Sequence, residues 1–133
     1  MEEAKHISTG KKGEKIACHL LKNKGFKILF RNYKSDNRTG EVDIVARDGA
    51  VLCFIEVKTR YASAFVEKTT DDAWVSHNQT ERIKNAAKDY LFKIGTDKIK
   101  YRFDLVEITL GKFGIKKIHH WERNFGLPDL DRY

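Results

Sequence analysis

The sequence predicts a single α/β domain, and two observations predict that class. Apolar residues recur at helical spacing in residues 13–24 and 76–94, whereas short runs between and after these segments alternate or cluster apolar residues as strands do. The chain of 133 residues is 41% apolar and 34% charged with one proline, which is typical of a folded domain with its own core. The predicted order of elements is α-β-β-β-α-β-β.

The first helix and the first strand are predicted from the N-terminal part of the chain. Residues 13–24 form the helix, because four apolar residues recur at helical spacing and Gly25 ends it. These four are Ile16, Ala17, Leu20 and Leu21. Residues 26–31 cluster apolar side chains as a strand does, and residues 32–40 carry the Ser, Asp, Asn, Thr and Gly residues of a turn.

A hairpin and a loop are predicted next. Strands two and three cover residues 42–46 and 51–57, and Asp48-Gly49 is the two-residue turn between them. Residues 61–70 have no clean period, so we expect a loop or flap there.

The second half of the chain predicts a long helix followed by two strands. Residues 76–94 form the helix, because an apolar stripe runs along it and Gly95 follows. The stripe consists of Ile83, Ala86, Ala87, Tyr90, Leu91 and Ile94. Residues 101–110 and 113–118 are strands around Gly111-Lys112, and the tail from Trp121 is expected to pack irregularly.

Composition limits the functional classes. The net charge of +7 favours polyanionic partners, although a solvated basic surface without a partner has the same composition. No run approaches ~18 consecutive apolar residues, and the first residues lack the apolar core of a signal peptide, so we expect a cytoplasmic protein without membrane contact. Cys18 and Cys53 lack metal-binding spacing and are expected to be small buried residues.

Acids and bases occupy the ends of strands two and three, where a buried strand carries apolar side chains. The predicted turn places Asp43 opposite Phe54 and Glu41 opposite Glu56. Side-chain alternation then puts four charged residues on one face: Glu41, Asp43, Glu56 and Lys58. Facing Cβ atoms lie ~5 Å apart and diagonal ones ~7–8 Å, so Asp43 and Glu56 are candidate ligands of one cation.

Mutual repulsion of these carboxylates requires positive charge nearby. Two carboxylates ~6 Å apart at an effective dielectric of ~20 repel by about 3 kcal/mol, and Glu41 adds a third. Lys58 is one candidate for the positive charge, and Mg²⁺ or Mn²⁺, which prefers oxygen ligands, is a compatible second one. Lys58 would then orient or deprotonate a water while the ion stabilises charge on a phosphodiester oxygen. The alternative is that Glu56 and Lys58 form a cross-strand ion pair.

Several polar residues outside this constellation have two interpretations each. Glu14, at the edge of the core-facing stripe of the first helix, is either an acid favoured by the helix dipole or an additional metal- or substrate-orienting carboxylate. Gln79 and Arg82 begin the long helix and either contact a phosphate or nucleobase or face solvent. The five histidines have no metal spacing, and adjacent His119 and His120 are predicted to point to opposite faces without a functional role.

Five short motifs occur together in one known family. They are Gly13-Glu14, Arg31-Asn32, Gly40-Glu-Val-Asp-Ile-Val45, Phe54-Ile-Glu-Val-Lys-Thr-Arg60, and Ala86-Ala87 with Tyr90-Leu91. Over residues 13–106 the chain thereby resembles the bacterial UPF0102 (YraN-like) family of the PD-(D/E)XK nuclease superfamily. The resemblance implies a restriction-endonuclease-like αβββαβ core with a mixed central sheet flanked by helices, close in layout to archaeal Holliday-junction resolvases. It implies one nuclease-like domain over residues 1–133, with the core at about 13–120 between a polar N-terminus and an irregular tail.

The resemblance also implies roles for single residues. Asp43 and Glu56 would bind Mg²⁺ or Mn²⁺, Lys58 would assist the nucleophilic water, and Glu14 would be the helix-borne acid of the site. Glu41 is a possible additional acid. The candidate nucleic-acid contacts are Lys11, Lys12, Arg60, Gln79 and Arg82. The chain departs from the family at residues 76–79, where Ser-His-Asn-Gln stands in place of a segment that usually carries a lysine near the position of Gln79.

Three functions compete at this stage. The leading hypothesis is a Mg²⁺-dependent endonuclease that hydrolyses phosphodiester bonds in DNA, including branched DNA in repair or recombination. The alternative is a nucleic-acid-binding module on a nuclease fold without catalysis of its own, and a third is a protein-interaction domain with an incidental basic face. The intact set of Asp43, Glu56 and Lys58 favours the first, because clustered acids would otherwise repel phosphate. A homodimer is expected if the substrate is a symmetric junction.

Overall fold

The structure, a computed structural model, describes residues 2–62, 76–95 and 98–122, and of residues 2–9 it describes the backbone alone. Two helices and five strands follow one another in the predicted order. They are α1 (Glu2–Asn23), β1 (Lys27–Lys34), β2 (Glu41–Asp48), β3 (Val51–Tyr61), α2 (His77–Ile94), β4 (Lys100–Gly111) and β5 (Gly114–Trp121). The predicted fold class, a mixed sheet flanked by helices with an αβββαβ core, is confirmed.

The five strands form one sheet in the order β1-β2-β3-β4-β5. β3 and β4 are parallel, and every other neighbouring pair is antiparallel. A parallel pair needs a crossover connection, and α2 lies within the segment that makes it. The sheet is therefore a three-stranded antiparallel meander, β1 to β3, joined by a parallel seam to the β4–β5 hairpin.

The two helices cover opposite faces of the sheet. Side chains of α2 pack with Val45 and Phe54 in one apolar cluster, whereas side chains of α1 pack with Ile44 and Ile55 in another. Adjacent strand residues thus point into different clusters, as strand geometry requires. Cys18 and Cys53 are buried in the α1 cluster, as predicted, and burial raises the pKa of the Cys53 thiol to about 12.

The long helix α2 is confirmed with both of its ends. Ser76 is the N-cap, and Gly95 ends the helix with a φ of +71° and a backbone N–H that donates to the carbonyls of Leu91 and Phe92. Glycine takes this left-handed conformation without a Cβ penalty. None of the helices in the described part of the chain is long and apolar enough to cross a membrane.

Several elements are longer than predicted. α1 begins at Glu2 instead of residue 13, β1 continues past Arg31 to Lys34, and β3 continues past Val57 to Tyr61. The extra residues of β3 are mostly polar, so apolar patterning does not reveal them, yet each pairs with a residue of β4. Tyr61, predicted to begin a loop, therefore belongs to a strand, and residues 63–70 of the expected flap lie outside the described residues.

The end of the chain differs from the prediction in a similar way. Trp121, expected to begin an irregular tail, is the last residue of β5, and its Cα pairs with that of Leu105. The remainder of the predicted tail, residues 123–133, lies outside the described residues.

The predicted register of the β2–β3 hairpin was wrong by two residues. Asp48 pairs with Val51, so the turn residues are Gly49 and Ala50 rather than Asp48 and Gly49. Gly49 has a φ of +61°, a conformation that suits glycine at the first central position of a hairpin turn. Asp48 is also held in the strand by an ion pair to Arg102 of β4, at 3.0 Å.

An error of two residues does not by itself exchange the faces of a strand, because side chains alternate with a period of two. β2 departs from strict alternation near its start, where Val42 lies in the α2 cluster with Val45 although Ile44 and Ala46 lie in the α1 cluster. The pairing of β2 with β3 ends at Ile44 with Ile55, so Asp43 and Glu56 are the residues that follow the last pair, and Phe54 pairs with Val45. The corrected register therefore brings the two candidate ligands closer together than the predicted one did.

Gly40 lets the beginning of β2 pack directly on α2. A Cβ atom added at Gly40 would lie 2.3 Å from the backbone nitrogen of Ala86. Backbone atoms in mid-helix cannot move aside as the end of a flexible side chain can. The glycine therefore sets the distance between α2 and the strand that carries Glu41 and Asp43.

We expect Gly40→Ala to lower the free energy of unfolding by about 1–3 kcal/mol, the usual effect of overpacking a filled site. Urea denaturation measures the change. Gly10→Ala is the control, because a Cβ at Gly10 has no neighbour within 4 Å and alanine favours helix. Equal stability of wild type and Gly40→Ala would contradict the close approach.

Candidate active site

A groove of about 240 Å³ lies where β2, β3 and the beginning of α2 meet. Its walls are formed by Glu41, Asp43, Glu56, Val57, Gln79 and Arg82. Five of these six residues were named from the sequence as candidate site residues. They come from three elements, so the fold assembles the site from distant parts of the chain.

Asp43 and Glu56 form a carboxylate pair with two different environments. Asp43 Oδ2 accepts a hydrogen bond from the backbone N–H of Val57 at 2.8 Å. Burial raises the pKa of Glu56 far above its ordinary value, and the hydrogen bond to Asp43 and the charge of Asp43 raise it further. Glu56 therefore keeps its proton to a higher pH than an exposed glutamate does.

The donor set of this pair suits a hard divalent cation. Two adjacent carboxylates suit an ion of charge +2, and Mg²⁺ is commonly held by one or two carboxylates with water in its remaining positions. Within the described residues no three His, Cys, Asp or Glu side chains converge on one point. Asp43 and Glu56 are the adjacent carboxylates that could act as ligands, and water would complete the coordination.

Glu41 is engaged by a partner that the sequence did not reveal. Its Oε2 atom accepts a hydrogen bond from Arg82 Nη2 of α2 in a close ion pair. Arg82 therefore supplies part of the positive charge that was expected to come from Lys58 or a metal ion. The two residues are 41 positions apart, so no local pattern connects them.

The basic end of β3 is held by a buried acid of β4. Lys58 follows Glu56 by two residues on the same face, and its charge opposes the rise in the pKa of Glu56. Arg60 Nη2 lies 2.7 Å from Glu107 Oε2, and the Glu107 side chain is only 7% exposed. Sequence reasoning missed Glu107, although an acid within the apolar run of residues 103–110 was a usable signal.

Glu14 lies beside the pair but outside the groove walls. Burial raises its pKa, and the charge of Asp43 raises it further, whereas Asn32 and Arg31 lower it. Asn32 Nδ2 donates to Glu14 Oε2 at 3.2 Å, and Arg31 Nη2 lies 3.8 Å from the same oxygen. α1 approaches β3 closely here, because a Cβ at Gly13 would lie 1.7 Å from Thr59 Oγ1.

Asn32 has a backbone conformation that is unusual for a strand residue. Its φ is +54°, within β1. Non-glycine residues in this region are uncommon, asparagine tolerates it better than most, and such strain clusters at functional sites. Asn32 was predicted to lie in a turn, and its contact with Glu14 was not predicted. Only the residue type, asparagine, indicated that this backbone conformation could occur here.

Gln79 has a structural task that accounts for its position. Its backbone N–H donates to Ser76 Oγ, and its Oε1 accepts from the Ser76 backbone N–H, each at 3.2 Å. This reciprocal pair is a capping box, in which glutamine is a favoured third helical residue. Gln79 also lines the groove, so capping fixes it there. Lys11 and Lys12 are exposed on α1 and are not among the groove residues.

The adjacent histidines point to opposite faces of β5, as predicted. His119 stacks on Trp121, with ring centroids 3.7 Å apart and planes at 9°. His120 Nε2 lies 2.9 Å from Asp104 Oδ2 on the α1 side of the sheet. Arg102 Nε also reaches Asp104, at 3.0 Å, so this second charged cluster is internally paired.

Fold and groove together define an α/β protein with a candidate acidic site at one end of a mixed sheet. Residues 13–108 match Uncharacterised protein family UPF0102. A UPF0102 protein of Chlorobium phaeobacteroides is 40% identical over 124 residues, which cover 93% of this chain and 88% of the relative. UPF0102 proteins of Alkaliphilus oremlandii and Alkaliphilus metalliredigens are 39% and 32% identical, over 85% and 89% of this chain and 93% and 97% of each relative. The chain belongs to the UPF0102 family.

The raised pKa of Glu56 predicts a pH-dependent effect of Glu56→Gln on stability. Above the unfolded pKa of glutamate, the folded wild type keeps a proton that the unfolded chain has lost, so its stability falls as pH rises. Glutamine has no such proton, so the stability of Glu56→Gln does not fall with pH for this reason. We expect Glu56→Gln to gain stability relative to wild type between pH 5 and pH 8, reaching at least about 1 kcal/mol, the value of roughly one pKa unit.

Urea denaturation of both proteins at a series of pH values measures this difference in the free energy of unfolding. Asp36→Asn serves as the control, because the Asp36 side chain is 79% exposed and lies outside the groove. A difference between wild type and Glu56→Gln that does not change with pH would show that Glu56 is not protonated in the folded protein.

Proposed function

We propose that this protein is a metal-dependent nuclease of the PD-(D/E)XK superfamily that hydrolyses phosphodiester bonds in DNA with Mg²⁺ or Mn²⁺. The observation that carries the proposal is the pair of adjacent carboxylates, Asp43 and Glu56, beside Lys58 in a groove also lined by Arg82 and Gln79. A structural ion pair alone has no need for two adjacent carboxylates at the end of a buried strand.

Each residue has a distinct task in this proposal. Asp43 and Glu56 hold the ion, which supplies Lewis-acid stabilisation of charge on the phosphodiester. Lys58, on the same face, orients the attacking water. Glu14, positioned by Asn32, adds a carboxylate behind Asp43.

The remaining parts of the proposal concern the substrate and its surroundings. Arg82 and Gln79 border the groove from α2 and are placed to contact a phosphate near the scissile bond. The basic balance of the chain, with a net charge of +7, suits a polyanionic substrate. Action on branched DNA in the cytoplasm, by a homodimer on a symmetric junction, is the most specific form of the proposal.

Cleavage assays test the proposal directly. Purified protein with Mg²⁺ or Mn²⁺ is incubated with linear, flapped and four-way DNA. We expect Asp43→Asn and Lys58→Ala to reduce cleavage at least about 100-fold, because each removes a group that acts on the reacting atoms. Lys100→Ala, which changes an exposed lysine at the opposite end of the sheet, is expected to cleave as wild type does.

Two outcomes would refute the nuclease assignment. Cleavage that is equally strong in wild type, Asp43→Asn and Lys58→Ala would identify a contaminating enzyme. DNA binding by wild type without any metal-dependent cleavage would favour the non-catalytic binding module.

Metal binding is expected to release about one proton per ion at pH 7, since a cation displaces the proton that Glu56 keeps. Calorimetric titration with Mn²⁺ in buffers of different ionisation enthalpy measures the number of protons released. Glu56→Gln is expected to weaken binding and to abolish the release, whereas Asp36→Asn should leave both unchanged. Tight binding without proton release would show that the ion does not bind at Asp43 and Glu56.

A further inference from the structure

The tip of the β4–β5 hairpin exposes an aromatic side chain that the fold does not use. Residues 111–117, here called the hairpin tip, contain Phe113, whose exposed fraction is 97%. The register pairs Gly111 with Gly114, which leaves Lys112 and Phe113 as the two turn residues. Aromatic residues are not favoured in such turns, which are dominated by Gly, Asn and Asp. Neither core packing nor turn chemistry therefore accounts for Phe113.

Basic residues lie close to Phe113 along the chain. The hairpin tip carries Lys112, Lys116 and Lys117, all exposed, and the chain has no acidic residue between Glu107 and Glu122. An exposed aromatic group framed by cations is complementary to nucleic acid, whose phosphates are anionic and whose bases have exposed π-faces wherever stacking is interrupted.

The hairpin tip also has a defined position relative to the groove. Arg60, Thr109 and Lys117 lie in one row across β3, β4 and β5, on the same face as Glu56 and Lys58. Leu105 pairs with Glu56, and Gly111 follows Leu105 by six residues, so the tip lies ~20 Å farther along the sheet. That distance corresponds to about six nucleotide steps.

We propose that the hairpin tip is a DNA-binding element in which Phe113 stacks into an interrupted base step while Lys112, Lys116 and Lys117 contact the flanking phosphates. This inference rests on the proposed function, because it takes DNA as the partner. It adds a residue that selects among DNA substrates by their structure. Phe113 discriminates in favour of DNA with an unstacked step, about six nucleotides from the scissile phosphate. The lysines add affinity for any DNA.

Binding without cleavage tests the inference. The full chain is titrated in EDTA against two fluorescein-labelled duplexes of one sequence, one continuous and one with a two-nucleotide bulge, and fluorescence anisotropy gives Kd. We expect Phe113→Ala to weaken binding to the bulged duplex at least about fivefold, with less than about a twofold change on the continuous one. Phe113→Trp should restore the preference, whereas Phe113→Leu should not, because stacking requires an aromatic ring.

The lysines have a separate signature. Changing Lys112, Lys116 or Lys117 to alanine should weaken binding to both duplexes alike and lower the slope of log Kd against log salt by about one for each. Phe92→Ala is the matched control, because Phe92 is 85% exposed on α2 and should not affect binding to either duplex.

Several results would overturn the inference. They are equal binding of both duplexes by wild type and Phe113→Ala, an equal effect of Phe92→Ala, or Phe113-dependent sedimentation with phosphatidylserine vesicles in place of DNA binding. Because the titration contains no divalent ion, its outcome is independent of cleavage. Loss of the Phe113 effect would refute the hairpin element alone, and absence of metal-dependent cleavage would refute the nuclease proposal alone.

Discussion

The parallel seam between β3 and β4 is the constraint on which the arrangement of the molecule depends. Pairing runs without interruption from Val51 with Lys100 to Tyr61 with Leu110. Because the strands are parallel, the chain must leave the end of β3 and return to the opposite end of the sheet before β4 begins. α2 makes this return, so its first turn lies near the end of β3. The seam thus brings Gln79 and Arg82 to the strand end that carries Glu56.

The groove begins where β3 stops pairing with β2, and this position explains why polar residues are tolerated there. β3 is apolar from Val51 to Ile55, the last residue that pairs with β2, and becomes largely polar beyond it, although it continues beside β4 to Tyr61. Two glycines help to form this boundary, because Gly13 brings α1 onto Thr59 and Gly40 brings α2 onto β2. The acids are therefore held by close backbone packing as well as by hydrogen bonds.

Much of this arrangement is predictable from the sequence, for identifiable reasons. Apolar periodicity located both helices and all five strands, and a register error of even length did not separate Asp43 from Glu56, which line one groove. The pairing of Glu41 with Arg82, of Arg60 with Glu107 and of Glu14 with Asn32 was not predictable. Each of these pairs joins residues that are far apart in the sequence. Their contact depends on side-chain geometry, which the periodicity of apolar residues does not report.

If the groove binds a metal ion and nucleic acid as proposed, the raised pKa of Glu56 bears on the order in which they enter. A proton on Glu56 removes one negative charge from the groove, and the charge of Glu41 is already paired with Arg82. A polyanion that approaches the metal-free protein would then meet a lower electrostatic barrier than three ionised carboxylates would impose. In the proposed nuclease, cation and substrate would therefore enter in either sequence, and the ion would displace the Glu56 proton on arrival.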